Sequence, residues 1–125
     1  MNTERSGILT IYRNFRDSRL AKTETGRSLI NLYYSHSDEV SQMLAASDGL
    51  NNQVRSLMFR LAPSLFMSMY RGMALSLTGP QYSQIVDLVM ELKTTASPGL
   101  HSGLEMLLGR LADGSLQQEL GFRVR

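Results

Sequence analysis

The chain has 125 residues, which is enough for one domain with an ordinary hydrophobic core. Hydrophobic residues make up 42% of the chain and charged residues 19%, with a net charge of +2, so the composition is that of a globular protein whose low charge leaves room for a subunit contact. Because cysteine is absent, disulfides, thiolate metal ligands and cysteine nucleophiles are excluded. No secretory signal is seen, so a cytoplasmic location is expected by default.

Three helices are predicted in the first half of the chain. Apolar residues recur every three or four positions from Ile8, which predicts a first helix ending near Leu20. Thr23 can cap the N-terminus of a second helix through its hydroxyl, and Ser37, which two acidic residues follow, begins a third. Gly49 is expected to end this third helix.

The most hydrophobic stretch runs from Leu57 to Leu77, where only Arg60 and Arg71 are charged. Its apolar residues keep helical spacing, which predicts a central helix that begins near Leu50 and is mostly buried. Pro63 lies between two registers of apolar residues. Because a proline inside a helix removes one backbone hydrogen bond, we expect either a kink there or two separate helices.

A membrane span is the alternative for this central stretch, because about 20 apolar residues cross the core of a bilayer. Each of the two arginines would cost about 2.5–3.5 kcal/mol at the centre of such a span. These costs favour a buried helix.

Two further long helices are predicted after the central one. The Gly79–Pro80 turn stops one helix and pre-sets the first turn of the next, which is expected to reach about Thr95. Ser97–Pro98 repeats this arrangement for a helix that Gly114 ends, and residues 115–120 can add one short turn.

No segment alternates apolar and polar residues over the length of a strand. The sequence therefore predicts an all-α fold, an irregular bundle of five to seven helices around the hydrophobic central helix, without a sheet. We expect residues 1–125 to form a single domain, with residues 1–7 and 121–125 as loose termini.

A distinctive pattern of residues lies between positions 12 and 44. It consists of Phe15-Arg16-Asp17, Leu20, Gly26-Arg27, Tyr33-Tyr34 and Ser37. This pattern resembles the helical segment of bacterial CFI-box proteins, in which a similar run follows a cysteine-containing box. Here the box is absent, because the chain has no cysteine and Met1–Gly7 stand in its place. The resemblance implies a helical bacterial module, and it implies no activity because the family has none assigned.

The same residues predict a structural joint between the first two helices. Asp17 and Arg27 lie on either side of the turn, where an ion pair between carboxylate and guanidinium would fix the angle between the helices. Gly26 would allow the two helices to pack closely. We expect this joint rather than a ligand site.

A ridge of positive charge is predicted along the first helix, formed by Arg13, Arg16, Arg19 and Lys22 at a spacing of three. A solvated helix face is the simpler interpretation. The alternative is an anionic partner, such as a nucleic acid, an acidic protein surface or lipid head groups.

Methionines are concentrated in the central segment, and the candidate interface residues there are Met67, Met69, Tyr70 and Met73. Methionine adapts its shape to irregular gaps, so filling the core is the simpler role. It also recurs on surfaces that bind helices. If a small bundle leaves a strip of this segment uncovered, that strip would mark a self-association or partner interface.

No catalytic, cofactor or metal site is predicted. His36 and His101 lie in different helices, without the paired spacing of a zinc-binding helix, and Ser102 does not occupy the middle of a nucleophile elbow. We therefore expect a non-enzymatic helical module that works by protein association, as a homo-oligomer or with a protein partner. A weak nucleic-acid-binding protein and a peripheral membrane protein, both using the basic first helix, are the alternatives.

Overall fold

The structure is a computed structural model that describes residues 3–125, with side chains from residue 7 onward. Seven α-helices and two short strands follow one another along this part of the chain. They are α1 (Thr3–Ser18), α2 (Glu24–Ser35), α3 (Ser37–Ala46), α4 (Asp48–Arg71), β1 (Leu75–Leu77), α5 (Gly79–Thr95), α6 (Pro98–Ala112), α7 (Ser115–Leu120) and β2 (Phe122–Val124). A 3-10 turn at Leu20–Lys22 joins α1 to α2. The predicted all-α bundle is confirmed.

The boundaries of the first helices follow from their caps. The Thr23 hydroxyl accepts a hydrogen bond of 2.9 Å from the Gly26 N–H, which caps α2 as predicted. Gly49, in contrast, does not end α3. Ser47 ends α3 and also caps α4, its hydroxyl accepting from the Leu50 N–H at 3.1 Å. The chain thus restarts a helix after one residue, and Gly49 lies inside the first turn of α4.

The central helix α4 has 24 residues and continues through Pro63, so the two-helix alternative is contradicted. It ends earlier than the hydrophobic stretch does. Gly72 takes the left-handed conformation, with φ of 68°, and stops the helix after Arg71. None of the helices in residues 3–125 combines the length and the hydrophobicity that crossing a bilayer requires.

Two three-residue strands correct the expectation that the fold has no sheet. β1 pairs in parallel with β2, with Leu75 opposite Phe122 and Leu77 opposite Val124. The Arg125 N–H donates to the Leu77 carbonyl at 2.7 Å, which extends the pairing to the last residue. The predicted loose tail at residues 121–125 is therefore wrong, since backbone hydrogen bonds hold it. At the other end α1 already begins at Thr3, while Met1 and Asn2 lie outside the described residues.

The most deeply packed cluster lies between α5 and α6, around Val89, Leu100 and Leu104. Partly buried apolar residues from α2 and α3, among them Leu32 and Val40, pack against it. The helix α4 packs against α1, α3, α5 and β1, and it contributes five buried residues. α1 packs mainly on α4 and on the 3-10 turn that follows it. The pair α1–α4 consequently forms one outer face of the bundle.

Candidate protein-interaction surface

Three long-range hydrogen bonds hold α1 and Arg19, the residue that follows it, against α4. The Tyr12 hydroxyl donates to the Met58 carbonyl at 2.9 Å, and the Arg19 guanidinium donates to the Ser68 carbonyl at 3.0 Å. The Asn14 amide also donates to the Tyr70 hydroxyl. Burial raises the pKa of Tyr12 far above its ordinary value, which keeps this hydroxyl protonated as a donor. The geometry of the outer face is therefore defined by specific contacts.

One side of α4 exposes a row of large apolar residues. Phe59, Phe66 and Tyr70 are 53%, 40% and 48% exposed, and Pro63 and Met67 are exposed beside them. Their spacings of three and four residues place them on one side of the helix. The rings of Phe66 and Tyr70 lie 5.0 Å apart and form an aromatic pair at the surface.

Two adjoining recesses lie between this row and α1. The smaller, of about 410 Å³, is lined by α1 and by α4 residues from Asn51 to Phe59. The larger, of about 770 Å³, is lined by α1 and by α4 residues from Phe59 to Tyr70. Ile8 and Phe59 line both of them, so the recesses are continuous. We call the two together the apolar groove.

The surface of the whole chain is larger than its mass predicts. The accessible surface is 7636 Å² for a protein of 14.0 kDa. A monomeric globular protein of this mass exposes about 6,700 Å², so the excess is about 900 Å². One side of a standard protein–protein interface covers about 800 Å². The excess belongs to the surface as a whole, of which the apolar groove is one part.

The four candidate interface residues differ in their placement. Met67 and Tyr70 line the larger recess of the groove. Met73 is exposed just beyond the end of α4, whereas Met69 is half-buried. Sequence reasoning missed Phe59 and Phe66. Their signal was available, because Phe59, Phe66 and Tyr70 follow one another at spacings of seven and four on one side of a helix.

The predicted basic ridge does not stand free along α1. Arg16 donates to the Asp17 carboxylate at 2.9 Å and to the Tyr34 hydroxyl at 2.6 Å. Arg19 is engaged with the Ser68 carbonyl of α4, while Arg13 and Lys22 are exposed. Two of the four cations therefore make contacts within the chain, and the ridge offers less charge to an anionic partner than its sequence suggests.

The structure gives Asp17 and Arg27 separate partners instead of pairing them. Asp17 is bound by Arg16, whose hydrogen bond lowers the pKa of the Asp17 carboxyl. Arg27 donates to the Ala21 carbonyl at 3.2 Å. The joint is formed by Gly26 instead, where an added Cβ would lie only 2.0 Å from the Leu20 carbonyl oxygen. The predicted close packing at Gly26 is confirmed.

Two glutamates that sequence reasoning passed over bind the N-termini of distant helices. Glu119 of α7 accepts from the Thr25 N–H of α2 at 2.9 Å and from the Thr25 hydroxyl. Glu39 of α3 accepts from the Ser97 N–H at 2.6 Å and from the Ser97 hydroxyl at 2.7 Å, at the start of α6. These hydrogen bonds lower the pKa of both glutamates. Neither contact has a signal in the local sequence, because the partners are 94 and 58 residues apart.

The two histidines each lie near one carboxylate. His36 Nδ1 is 3.4 Å from Glu39, and His101 Nε2 is 3.8 Å from Glu105. Within the described part of the chain, no three His, Asp or Glu side chains come together as the ligands of a metal ion would.

Comparison of the chain with protein-family models, with curated proteins and with solved structures finds no match. The function therefore has to be inferred from the geometry of the chain itself.

Proposed function

We propose that this protein is a non-enzymatic association module that binds another polypeptide in the apolar groove between α1 and α4. The observation that supports the proposal is the continuity of the groove, with two recesses that share Ile8 and Phe59. Single exposed apolar residues are common on protein surfaces, whereas a continuous apolar surface with concave recesses is typical of binding sites.

The energetics favour a partner that covers the groove. Full burial of a phenylalanine side chain stabilises by about 1.5–3 kcal/mol relative to leaving it exposed. Phe59 and Phe66 are 53% and 40% exposed, so much of this stabilisation is not gained within the chain. A partner with apolar side chains would recover it, and the aromatic residues would act as the anchors that dominate most interfaces.

A helix is the element that suits the shape. The groove follows α4 from Asn51 to Tyr70, which corresponds to about 28 Å of helix axis. An amphipathic helix of about 18 residues has this length, and its apolar side chains can enter the recesses at helical spacing.

The experiment uses two measurements on the purified protein. The first is the binding of a fluorescent 18-residue amphipathic peptide with leucines on one face and glutamines on the other, followed by anisotropy. The second is the solution mass by light scattering over a concentration series, which detects a second copy in the groove. Phe66→Ser is the test variant, and Met90→Ser, at an exposed methionine on α5, is the matched control.

We expect association in at least one of the two measurements, weakened by Phe66→Ser and unchanged by Met90→Ser. Peptide binding and mass that are both indifferent to Phe66→Ser would overturn the proposal.

A further inference from the structure

We infer that the partner of the apolar groove is an acidic amphipathic helix. This inference rests on the proposed function, because it specifies the chemistry of the partner that fills the same groove. The observation that carries it is the distribution of charge around the groove.

The two helices that line the groove carry a net positive charge, whereas the rest of the chain is slightly negative. The segments of α1 and α4 contain six arginines and three acidic residues, a net charge of +3. All remaining residues contain seven basic and eight acidic residues, a net charge of −1, which accounts for the total of +2. A partner surface of opposite sign would be attracted to this face.

One arginine of α4 lines the groove, and the other two lie beside it. Arg55 lines the smaller recess. Arg60 and Arg71 are exposed, and with Met67 between them they follow one another at spacings of seven and four residues, which places all three on one side of the helix. The one acidic residue of α4 is Asp48, in the first turn and before the first residue that lines the groove. The edge of the groove beside Met67 is thus marked by arginine at both ends.

A second copy of this chain fits that edge poorly. In a two-fold dimer the same patch lies on both subunits and meets itself. The arginine-bordered edge would then face another arginine-bordered edge, and like charges in an interface are repulsive. Glutamate or aspartate on the flanks of a helix would instead pair with Arg55, Arg60 and Arg71, and arginine binds carboxylates in a bidentate geometry.

The smaller recess favours a helix over an anionic membrane surface. It has a volume of about 410 Å³ and is partly enclosed, so it accepts protruding side chains, whereas the larger recess is shallow and open to solvent. Peripheral membrane proteins instead bury an apolar helix face that projects into the lipid boundary.

The probes are two 18-residue peptides with the same leucine face, one with glutamates and one with lysines on its flanks. Their affinities are measured by fluorescence anisotropy at low salt. The protein variant is Arg60→Glu/Arg71→Glu. Its control is Arg123→Glu/Arg125→Glu, which changes the net charge equally at exposed positions outside the groove. All of these substitutions are at exposed residues, and a thermal melt checks that each variant is folded.

We expect the glutamate peptide to bind at least about tenfold more tightly than the lysine peptide, with a difference that shrinks as salt screens the charges. Arg60→Glu/Arg71→Glu should reverse this preference, and the control variant should keep it. Equal affinities, or a preference for the lysine peptide that Phe66→Ser abolishes, would overturn the acidic partner and leave the association function intact.

Two further outcomes separate the inference from the proposed function. A dimer in light scattering that Phe66→Ser dissociates would mean that a second copy fills the groove. This result would support the association function and contradict the acidic helix as its partner. If neither peptide binds and the mass stays that of a monomer, both the association function and the acidic partner would be contradicted. The last measurement is flotation with phosphatidylglycerol vesicles. If the protein floats with the vesicles and binds neither peptide, the partner would be a lipid surface and not a helix.

Discussion

The two sides of this bundle differ in how closely their helices pack. Around α2 the chain packs so tightly that a Cβ on Gly26 would meet a backbone oxygen at 2.0 Å, and one on Gly103 of α6 would meet Leu32 at 2.3 Å. On the α1–α4 side, large apolar residues such as Phe59 and Phe66 line a groove and stay partly exposed. The helices therefore pack closely around α2, whereas α1 and α4 leave an open groove between them. We therefore assign maintenance of the fold to the tight side, around α2 and α6, and the open side, between α1 and α4, is the one that we propose for binding.

The largest effect of an added group is expected on the tight side, from Gly26→Ala. The added Cβ would overlap the carbonyl of Leu20, which is backbone and cannot rotate away. We expect a loss of about 3 kcal/mol in the free energy of unfolding, at the upper end of overpacking effects. Urea denaturation of the purified protein measures it.

Gly109→Ala is the matched control for Gly26→Ala, because Gly109 lies within α6 and an added Cβ there has nothing within 4 Å. Alanine at such a position should stabilise by about 0.5–1 kcal/mol. Similar losses in both variants would mean that the packing around Gly26 is not tight.

The next effect concerns Pro63, in the helix that forms the groove. Proline lacks the N–H that this position of α4 would otherwise use, and an interior proline costs about 3 kcal/mol relative to alanine. Pro63→Ala is therefore expected to raise the free energy of unfolding by about 1–3 kcal/mol. Thermal unfolding followed by circular dichroism is the measurement.

Pro80→Ala is the comparison for this variant, since Pro80 lies in the first turn of α5, where proline is favourable. It should give no gain in stability. A gain at Pro80 as large as that at Pro63 would show that the position within the helix is irrelevant, contrary to the expectation.

Much of the tight side could be read from the sequence, because its signals are local. Thr23 as a cap, the close packing at Gly26 and the start of α6 after Ser97 each depend on a few adjacent residues. The sheet could not be predicted, since each strand has only three residues and its partner is 47 positions away in the paired register. Residues 121–125 gave only the signal of a short basic tail, yet backbone hydrogen bonds to Leu77 and Gly79 hold them.

On the open side, the sequence predicted that some apolar residues would be exposed but not which face of α4 would carry them. The exposed methionine and tyrosine at positions 67 and 70 follow from a segment that is apolar on nearly all sides. Which side stays uncovered depends on where α1, α3 and α5 pack against α4, and that is a tertiary property. The ion pair expected between Asp17 and Arg27 is not formed, because the adjacent Arg16 binds the Asp17 carboxylate.

Acid is expected to loosen the tight side. In the folded protein the pKa values of Glu39 and Glu119 are lowered by hydrogen bonds at the starts of α6 and α2. The unfolded chain then binds more protons than the folded one, so the stabilisation is complete above the ordinary glutamate pKa of about 4.3 and is lost as the pH falls through the lower folded values. The melting temperature should change little between about pH 6 and 7 from this source and fall below about pH 4.5.

The variant Glu39→Gln/Glu119→Gln isolates this contribution. It should melt several degrees lower than the wild type at neutral pH and show a shallower decline in acid, because the groups that titrate are gone. Asp87→Asn, at an exposed carboxylate of α5, is the control and should keep the wild-type profile. An unchanged acid slope in the double variant would assign the acid sensitivity to other carboxylates.

The smallest effect on stability is expected in the groove, and adjacent residues of α4 provide the contrast. Leu65 is 6% exposed and faces the bundle, whereas Phe66 is 40% exposed and lines the larger recess. Leu65→Ala should cost about 2–5 kcal/mol, as truncation of a buried leucine does, while Phe66→Ser should cost about 1–2 kcal/mol, because only part of this side chain is buried within the chain. Chemical denaturation measures both variants under the same conditions. If Phe66→Ser cost as much as Leu65→Ala, Phe66 would belong to the core, and weaker peptide binding by that variant could then be attributed to unfolding. A small cost, in contrast, makes Phe66→Ser a folded protein with an altered groove, so that any loss of association reports on the binding surface alone.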